Sequence, residues 1–108
     1  MNRGILTTLY LAPAEHFSGD AGQREWNEKI TACYDAAYAK EPFVRLLEGK
    51  ALPDTKNVVG TNFIDIAWRL DPRTGRLLVM SAEDNIIKGT SGQAVQCLNV
   101  MCDFPETS

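Results

Sequence analysis

The chain has 108 residues, of which 44% are hydrophobic and 23% are charged, and its formal net charge is -3. This length is enough for one hydrophobic core and too short for two domains, so we expect residues 1–108 to form a single domain. The negative charge argues against nucleic acid and against an anionic membrane as the main partner. No apolar run approaches the roughly 20 residues that span a bilayer, and no secretory signal pattern opens the sequence.

The cysteines and the histidine do not indicate a metal site. Cys33, Cys97 and Cys102 are odd in number and lack the spacing of metal ligands, and His16 is the only histidine. Free thiols of a cytoplasmic protein are the simplest explanation. Cys33 lies on the apolar stripe of a predicted helix, so we expect it to be buried and unreactive. We expect His16 to be a solvated loop residue.

The first half of the chain predicts a strand, a helix and a second strand. Residues 4–11 are rich in Ile, Leu, Thr and Tyr, and the strand stops at Pro13. Residues 18–20 offer helix caps, and Pro42 ends the helix that follows. Residues 43–47 are then predicted as a short strand. The apolar face of the helix comprises Trp26, Ile30, Cys33, Tyr34, Ala37 and Tyr38.

A β-hairpin is the clearest local pattern. From Asn62 to Leu70, successive side chains are expected to point to opposite faces of a strand. Residues 71–75 contain a proline early and a glycine late, as is typical of a hairpin turn. Residues 76–82 are then predicted to return as the partner strand. Both faces of this hairpin carry apolar side chains. We therefore expect one face to pack on the helices and the other to be covered by another subunit or another domain.

The last helix is predicted from about Ser91 to Met101. Its expected inner face comprises Ala94, Val95, Leu98, Met101 and Cys102. The order strand, helix, three strands and helix predicts an α+β domain, with a mainly antiparallel sheet and helices on one face.

The start of this helix is the best candidate for a binding site. Lys88, Thr90, Ser91 and Gln93 crowd it, and the first amides of a helix lack intrahelical partners and lie at the positive end of its dipole. Such an end suits an anionic or amide-bearing ligand, which glycines allow to approach closely. A Gly-Thr-Ser-Gly run is also typical of a simple cap, so the pattern leaves both interpretations open. Asp84 is expected to cap the turn that leads into this segment.

Several motifs, at family spacing, resemble the N-acetyl-gamma-glutamyl-phosphate reductases of arginine biosynthesis. Residues 84–94 (Asp-Asn-Ile-Ile-Lys-Gly-Thr-Ser-Gly-Gln-Ala) are similar to the Asp-Asn-Leu-Val-Lys-Gly-Ala-Ala-Gly-Gln-Ala pattern on the nicotinamide side of those enzymes. The resemblance spans essentially the whole chain. It also includes residues 1–6 (Met-Asn-Arg-Gly-Ile-Leu), 41–44 (Glu-Pro-Phe-Val), 60–63 (Gly-Thr-Asn-Phe) with Asp65, 99–101 (Asn-Val-Met) and 104–107 (Phe-Pro-Glu-Thr).

The resemblance implies a fold like the C-terminal domain of glyceraldehyde-3-phosphate dehydrogenase and an NADP-dependent activity. The family reduces N-acetyl-gamma-glutamyl phosphate to N-acetyl-glutamate semialdehyde through a cysteine thioester. In that family a Rossmann domain, the nucleophilic cysteine and the acid–base histidine all precede the part seen here. We therefore expect no catalytic residue in this chain and no activity from it alone. Family members assemble through this domain, which implies a homo-oligomer, most simply a dimer.

The resemblance also implies roles for individual residues. Arg3 is expected to bind the substrate, and its alternative role is that of a terminal charge. Lys88 is either a ligand or a surface charge. The residues expected on the nicotinamide side of the NADP cleft are Asn85, Lys88, Gly89, Gly92 and Gln93, with Asn85 and Gln93 on the carboxamide.

A second interpretation is a stand-alone, noncatalytic dimerisation or small-anion-binding domain derived from such a reductase. Both interpretations predict the same missing catalytic parts, so the residues alone do not separate them. They also leave NADP and NAD undecided, because the residues that read the 2′-phosphate belong to the Rossmann domain.

Overall fold

The computed structural model of the chain describes residues 3–12, 19–47 and 51–107, with only the backbone of residues 19–21. A short 3-10 turn at Thr55–Asn57 and a π-helical turn at Ile87–Ser91 accompany the regular elements. The predicted order of strand, helix, three strands and helix is confirmed. Pro13, His16 and Ser18 lie outside the described residues. The elements are β1 (Ile5–Leu11), α1 (Gly19–Tyr38), β2 (Val44–Leu46), β3 (Ile64–Leu70), β4 (Leu77–Glu83) and α2 (Gly92–Met101).

The four strands form one sheet in the order β1-β4-β3-β2. β4 runs antiparallel to both β1 and β3, whereas β2 pairs with β3 in parallel. The fold-class prediction of an α+β domain with a mainly antiparallel sheet is therefore confirmed. The predicted hairpin supplies the two central strands, which leaves β1 and β2 at the two edges.

The turn between β3 and β4 depends on Asp71 and Gly75. The Asp71 amide donates to the Arg76 carbonyl at 2.9 Å, and the Asp71 carboxylate accepts from the Arg73 amide and the Thr74 hydroxyl, each at 2.9 Å. These bonds lower the pKa of Asp71 below its ordinary value. Gly75 has a φ of 71°, a conformation that a side chain would disfavour. The predicted turn residues thus close the hairpin by the expected chemistry.

α1 packs on one face of the sheet through an aromatic stack. Because side chains alternate along a strand, Ile64, Ile66 and Trp68 share that face. The Tyr34 ring of α1 lies nearly parallel to the Trp68 ring, with centroids 4.5 Å apart and an interplanar angle of 9°. The Tyr34 side chain is partly buried between α1 and the sheet, and this burial raises its pKa. A groove of about 590 Å³ remains between α1 and strands β2 and β3.

The opposite face is crossed by the segment from residue 51 to residue 60. Two arginines on this face donate hydrogen bonds to backbone carbonyls of the segment, Arg45 to Asn57 at 3.0 Å and Arg69 to Ala51 at 3.1 Å. Arg45 also forms a bidentate pair with the buried Asp65, at 2.6 and 3.1 Å. The segment therefore covers the middle of the sheet. The fully buried residues of this region are Val58, Ala67 and Ala82.

The prediction that Cys33 is buried was wrong, because α1 meets the sheet along a narrower row than its apolar stripe suggests. Trp26, Ile30 and Tyr34 are half-buried, whereas Cys33 and Ala37 are exposed. The members of the half-buried row are four residues apart, which is the spacing of a single contact line on a helix. The rest of the apolar stripe has no covering layer among the described residues.

The predicted inner face of α2 was also wrong. Its five members, Ala94, Val95, Leu98, Met101 and Cys102, are all exposed, and Met101 is 84% exposed. The side that faces the domain is polar instead. Asn99 is only 6% exposed, and its side-chain amide donates to the Glu106 carbonyl at 3.2 Å, while Gln96 accepts from the Asn62 amide at 3.0 Å. Hydrogen bonds therefore join the polar side of α2 to the rest of the described domain, and its apolar side is left exposed.

The exposed apolar surface of the sheet is on β1 rather than on the hairpin. All seven residues of β1 are exposed, and its Ile, Leu and Tyr side chains are between 41% and 65% exposed. Ile66 and Val79 of the hairpin are each only 9% exposed. We expected uncovered apolar side chains on one face of the hairpin. Among the described residues they are found instead on the neighbouring edge strand, β1.

We predict that Tyr34→Ala lowers the free energy of unfolding by about 1–3 kcal/mol, because it removes the ring that joins α1 to Trp68. Chemical denaturation followed by circular dichroism measures this change. Tyr38→Ala is the matched control, since Tyr38 lies one turn further along α1 with its ring centroid 6.1 Å from that of Tyr34. An equal loss in both variants would show that the stack does not anchor the helix.

Candidate functional site

A buried carboxylate organises the junction between β4 and the last helical segment. Asp84 is fully buried and accepts hydrogen bonds from three separate parts of the chain. Arg3 binds it in bidentate fashion, Nε to Oδ1 at 3.0 Å and Nη2 to Oδ2 at 2.7 Å. The Gly60 amide donates to Oδ2 at 2.7 Å, and the Ile86 and Ile87 amides donate to Oδ1 at 2.9 and 3.3 Å. The prediction that Asp84 caps this turn is confirmed.

These contacts stabilise the charged form of Asp84. The Arg3 guanidinium is the main cause of a pKa well below the usual range, and the donated amides add to it. Burial acts in the opposite direction without reversing the shift. Asp84 is therefore ionised inside the fold at neutral pH.

A second bond aligns the same two segments. The Gly4 amide donates to the Asn85 side-chain oxygen at 2.8 Å. Gly4 has a φ of 121°, and a Cβ at this position would lie 2.9 Å from the Thr55 side chain. Both the backbone conformation and the contact with Thr55 therefore require glycine here. Residues 3–4 are thus fixed against residues 84–85 by paired contacts.

The helix begins earlier than the sequence suggests, and its first amides are already bonded. A π-helical turn at Ile87–Ser91 runs directly into α2. The Gly89 amide donates to the Asp84 carbonyl at 3.0 Å, the Ser91 amide donates to the Ile86 carbonyl at 3.1 Å, and the Gly92 amide donates to Ile87. At least these three amides of the helix start are therefore bonded within the chain. The anion that lies there is the chain's own Asp84 carboxylate.

Lys88 belongs to an internal polar network. Its ammonium group donates to the Gln96 side-chain oxygen at 2.6 Å and lies 5.5 Å from the centroid of the Phe43 ring. Gln96 in turn donates to the Glu106 carboxylate at 3.0 Å. Burial lowers the pKa of Lys88, and the nearby charges of Glu83 and Glu106 act to raise it. The surroundings of Lys88 are acidic, which is unfavourable for binding a phosphate.

Two glycines of this segment have different structural roles. A Cβ on Gly92 would lie 2.5 Å from the Asn62 side-chain oxygen and 2.6 Å from two atoms of Ile87. A Cβ on Gly89 would meet nothing closer than 3.7 Å. Neither residue has a positive φ. Gly92 is therefore required by packing within the domain, whereas a Cβ at the exposed Gly89 would make only ordinary van der Waals contacts.

The predicted site residues do not form one cluster. Arg3, Asn85 and Gly89 lie together around Asp84, while Lys88 joins Gln96. Gln93 lies one turn along the helix, where its side-chain nitrogen is 3.5 Å from the Cys97 sulfur. The Arg3 side chain is 36% exposed, and Asn85 and Gln93 are half-buried, so all three are partly accessible to solvent.

Sequence reasoning missed two partners of this site, Gly60 and Gln96. Gly60 has a φ of 77° and donates its amide hydrogen to Asp84. The sequence clue to this role was a glycine placed between the 3-10 turn at Thr55–Asn57 and the hairpin. Gln96 links Asn62, Lys88 and Glu106. α2 was predicted from the spacing of its apolar residues. A polar residue on that helix gives no indication of which distant side chains it will bind.

Cysteine and membrane features add no further site. Cys33, Cys97 and Cys102 are all exposed free thiols. In the described part of the chain, no group of three or more His, Cys, Asp or Glu side chains is arranged to hold a metal ion. Neither helix of that part is long and apolar enough to cross a bilayer.

Comparison with known proteins assigns the chain to a family. Residues 1–85 match the family model described as the semialdehyde dehydrogenase dimerisation domain, and the chain belongs to this family. It is 50% identical over 107 residues to the N-acetyl-gamma-glutamyl-phosphate reductase of a Geobacter species, and 49% identical over 107 residues to that of Citrifermentans bemidjiense. Each alignment covers 99% of this chain and 29% of the relative. The reductase of Akkermansia muciniphila is 55% identical over 80 residues, which are 74% of this chain and 23% of the relative.

We predict opposite effects of alanine at the two glycines. Gly92→Ala should destabilise the chain by about 1–3 kcal/mol, because its Cβ collides with groups that are packed on both sides. Gly89→Ala, the matched control, should be neutral or stabilising by up to about 1 kcal/mol, since alanine favours helical backbone and its Cβ would make only ordinary van der Waals contacts. Urea midpoints measure both. A tolerated Gly92→Ala would contradict the packing account.

We predict that Asp84→Asn destabilises the chain in a pH-dependent way. The folded-state pKa is depressed, so the contribution of the carboxylate is complete above its unfolded pKa of about 3.9 and is lost as the pH falls toward the folded value. The difference in urea midpoint between the parent and the variant should therefore be largest near about pH 6 and shrink by about pH 3. Asp35→Asn on the exposed side of α1 is the control. A difference that is constant with pH would rule out the ionised carboxylate as its source.

Proposed function

We propose that this chain is the C-terminal part of an NADP-dependent N-acetyl-gamma-glutamyl-phosphate reductase of arginine biosynthesis. The observation that carries the proposal is the identity of about half of its residues, over 99% of its length, to reductases of that name. The chain spans less than a third of the length of those relatives. The remaining part of such an enzyme would supply the Rossmann domain, the nucleophilic cysteine and the acid–base histidine.

The proposed reaction needs two chemical steps that this chain assists without performing. A cysteine thiolate attacks the acyl carbon of N-acetyl-gamma-glutamyl phosphate, and phosphate leaves to give a thioester. NADPH, when bound, supplies the hydride that converts the thioester to the semialdehyde and releases the thiolate. The contribution of this chain would be to orient substrate and nicotinamide through the segments fixed to Asp84.

The helix start fits the neutral end of a nicotinamide cofactor better than its phosphates. A carboxamide needs one hydrogen-bond donor and one acceptor, which the Asn85 side-chain nitrogen and the Gln93 side-chain oxygen offer. Gly89, which lies between them in sequence, is exposed and carries no side chain that would hinder a ligand. Phosphates are disfavoured because the Asp84 carboxylate already occupies the helix end and Glu83 lies close to Lys88. We therefore propose that residues 85–93 bind the carboxamide, with Lys88 and Gly92 holding the segment in shape.

Arg3 is proposed as a substrate-orienting donor. Its Nε and Nη2 groups bind Asp84, which fixes the plane of the guanidinium and neutralises most of its charge. The remaining Nη1 edge can donate a hydrogen bond to a substrate oxygen. Arg3 would thus select orientation rather than provide net charge attraction.

We also propose that the chain forms a homodimer and acts in the cytoplasm. The family description names a dimerisation domain, and exposed apolar side chains on β1 support association. The exposed free thiols suit a reducing compartment.

We predict that the 108-residue chain alone gives no substrate-dependent oxidation of NADPH. A chimera tests the larger proposal, in which this chain replaces the matching C-terminal segment of the Geobacter reductase. The chimera should show NADPH-dependent reduction of N-acetyl-gamma-glutamyl phosphate, and Gln93→Leu in it should raise the KM for NADPH more than it lowers kcat, because it removes a carboxamide contact.

Two outcomes would contradict these proposals. Turnover by the isolated chain that disappears in Cys97→Ser or Cys33→Ser would place the nucleophile inside this chain. A folded chimera without activity, assembled as the parental reductase is, would favour the noncatalytic interpretation. Gln23→Leu on α1 is a control for the Gln93 variant, since Gln23 lines the groove beneath α1.

A further inference from the structure

We propose that Gln96 is a positioning residue for the segment of residues 85–93, and that it acts on this segment through Lys88. The inference rests on the proposed function, in which residues 85–93 bind the nicotinamide carboxamide. Gln96 itself would touch neither cofactor nor substrate. Glu106, in the segment that follows α2, orients Gln96 in turn.

Gln96 joins three side chains that come from separate parts of the chain. Its side-chain oxygen accepts hydrogen bonds from the Lys88 ammonium at 2.6 Å and from the Asn62 side-chain amide at 3.0 Å. Its side-chain nitrogen donates to the Glu106 carboxylate at 3.0 Å. All four residues are half-buried, so water competes less with these bonds than it does at an exposed surface.

The side-chain amide at position 96 meets the opposite needs of its two charged neighbours. Lys88 can only donate, and the Glu106 carboxylate can only accept. The residue between them must therefore accept at one end and donate at the other. An apolar side chain of the same length would leave the ammonium without its oxygen partner, and a carboxylate would face a second carboxylate.

The bond between Lys88 and Gln96 crosses from the π-helical turn into α2. Asn85 precedes this turn at Ile87–Ser91, whereas Gln93 lies in the first turn of α2. Amides in a π-helical turn donate to the carbonyl five residues earlier, so the turn sets how side chains before and after it are placed relative to one another. By fixing the turn against the helix, the Lys88–Gln96 bond fixes the spacing of the two proposed carboxamide ligands.

Asn62 ties this arrangement to the sheet. It lies two residues before β3, and its side-chain nitrogen donates to the same Gln96 oxygen that Lys88 binds. Its own side-chain oxygen is buried and has no hydrogen-bond partner among the described residues. The Asn62 amide is thus oriented toward Gln96 at the expense of its own acceptor. Lys88 is therefore held relative to the sheet as well as to α2.

Steady-state kinetics of the chimera described above test this inference. Gln96→Met keeps the length of the side chain and removes its amide. It should lower kcat/KM for NADPH by about tenfold and change the KM for N-acetyl-gamma-glutamyl phosphate less than about twofold, because Arg3 is held by Asp84 instead. Gln23→Met, the same exchange on α1, is the matched control and should change neither value. Circular dichroism at the assay temperature reports whether each variant is folded.

A cofactor analogue separates positioning from general damage to the fold. In the 3-acetylpyridine analogue of NADPH, a methyl group replaces the carboxamide nitrogen, so the contact proposed for the Gln93 oxygen is absent. The loss caused by Gln96→Met should shrink to about threefold or less with this analogue, because one of the two contacts that Gln96 supports is already missing. An equal loss with NADPH and with the analogue would overturn the inference and indicate a purely structural role.

An exchange of side-chain chemistry between Gln96 and Glu106 provides a rescue. Gln96→Glu alone brings two carboxylates together and should lower kcat/KM for NADPH about as much as Gln96→Met. Adding Glu106→Gln restores one donor and one acceptor between the two positions without changing the net charge, and it should recover at least about half of the parent value. A double variant no better than Gln96→Glu would overturn the role assigned to Glu106.

The outcomes separate this inference from the proposed function. An active chimera that loses efficiency with NADPH in Gln93→Leu and not in Gln96→Met would overturn the positioning role and leave the reductase proposal intact. A folded parent chimera without activity would overturn the reductase proposal and this inference with it.

Discussion

Burial of one carboxylate dictates the arrangement of the whole site. An ionised group removed from water is costly unless hydrogen bonds and an opposite charge replace its hydration. Asp84 obtains these from Arg3 near the start of the chain, from Gly60 before the hairpin and from the first amides of the last helical segment. Three segments distant in sequence must therefore be placed correctly together. The positions of Asn85 and Gly89 follow from that requirement.

The same requirement changes how the helix start should be interpreted. A helix N-terminus with free amides attracts any anion, but here the amides and the dipole are already matched by Asp84. The segment keeps its shape without a ligand and offers side-chain amides instead of charge. Such a surface suits a polar, uncharged group, which supports the proposal that the segment binds the nicotinamide carboxamide rather than a phosphate.

The sequence predicted the elements well because hydrophobic periodicity and turn residues are local properties. The hairpin from Asn62 to Ala82, the stop before Pro42 and the Asp84 cap all depend on neighbours along the chain. Burial was predicted less well, since it depends on which surface meets a helix. Cys33 and Leu98 lie on apolar stripes that no described element covers, and the partners of Gln96 come from distant segments. A pattern can identify the apolar side of a helix but not its partner.

The bare stripes and the edge strand have a common physical consequence. The Cα radius of gyration is 15.9 Å, whereas a compact domain of this length has about 13 Å. Among the described residues the buried apolar core is correspondingly small, with Val58, Ile66, Ala67, Val79 and Ala82 as its members. Apolar area that stays in water contributes nothing to folding, so the exposed apolar side chains of β1 and α2 add little to the stability of the described part of the chain. The ion pair between Arg3 and Asp84 keeps the segments around it in register beside this small core.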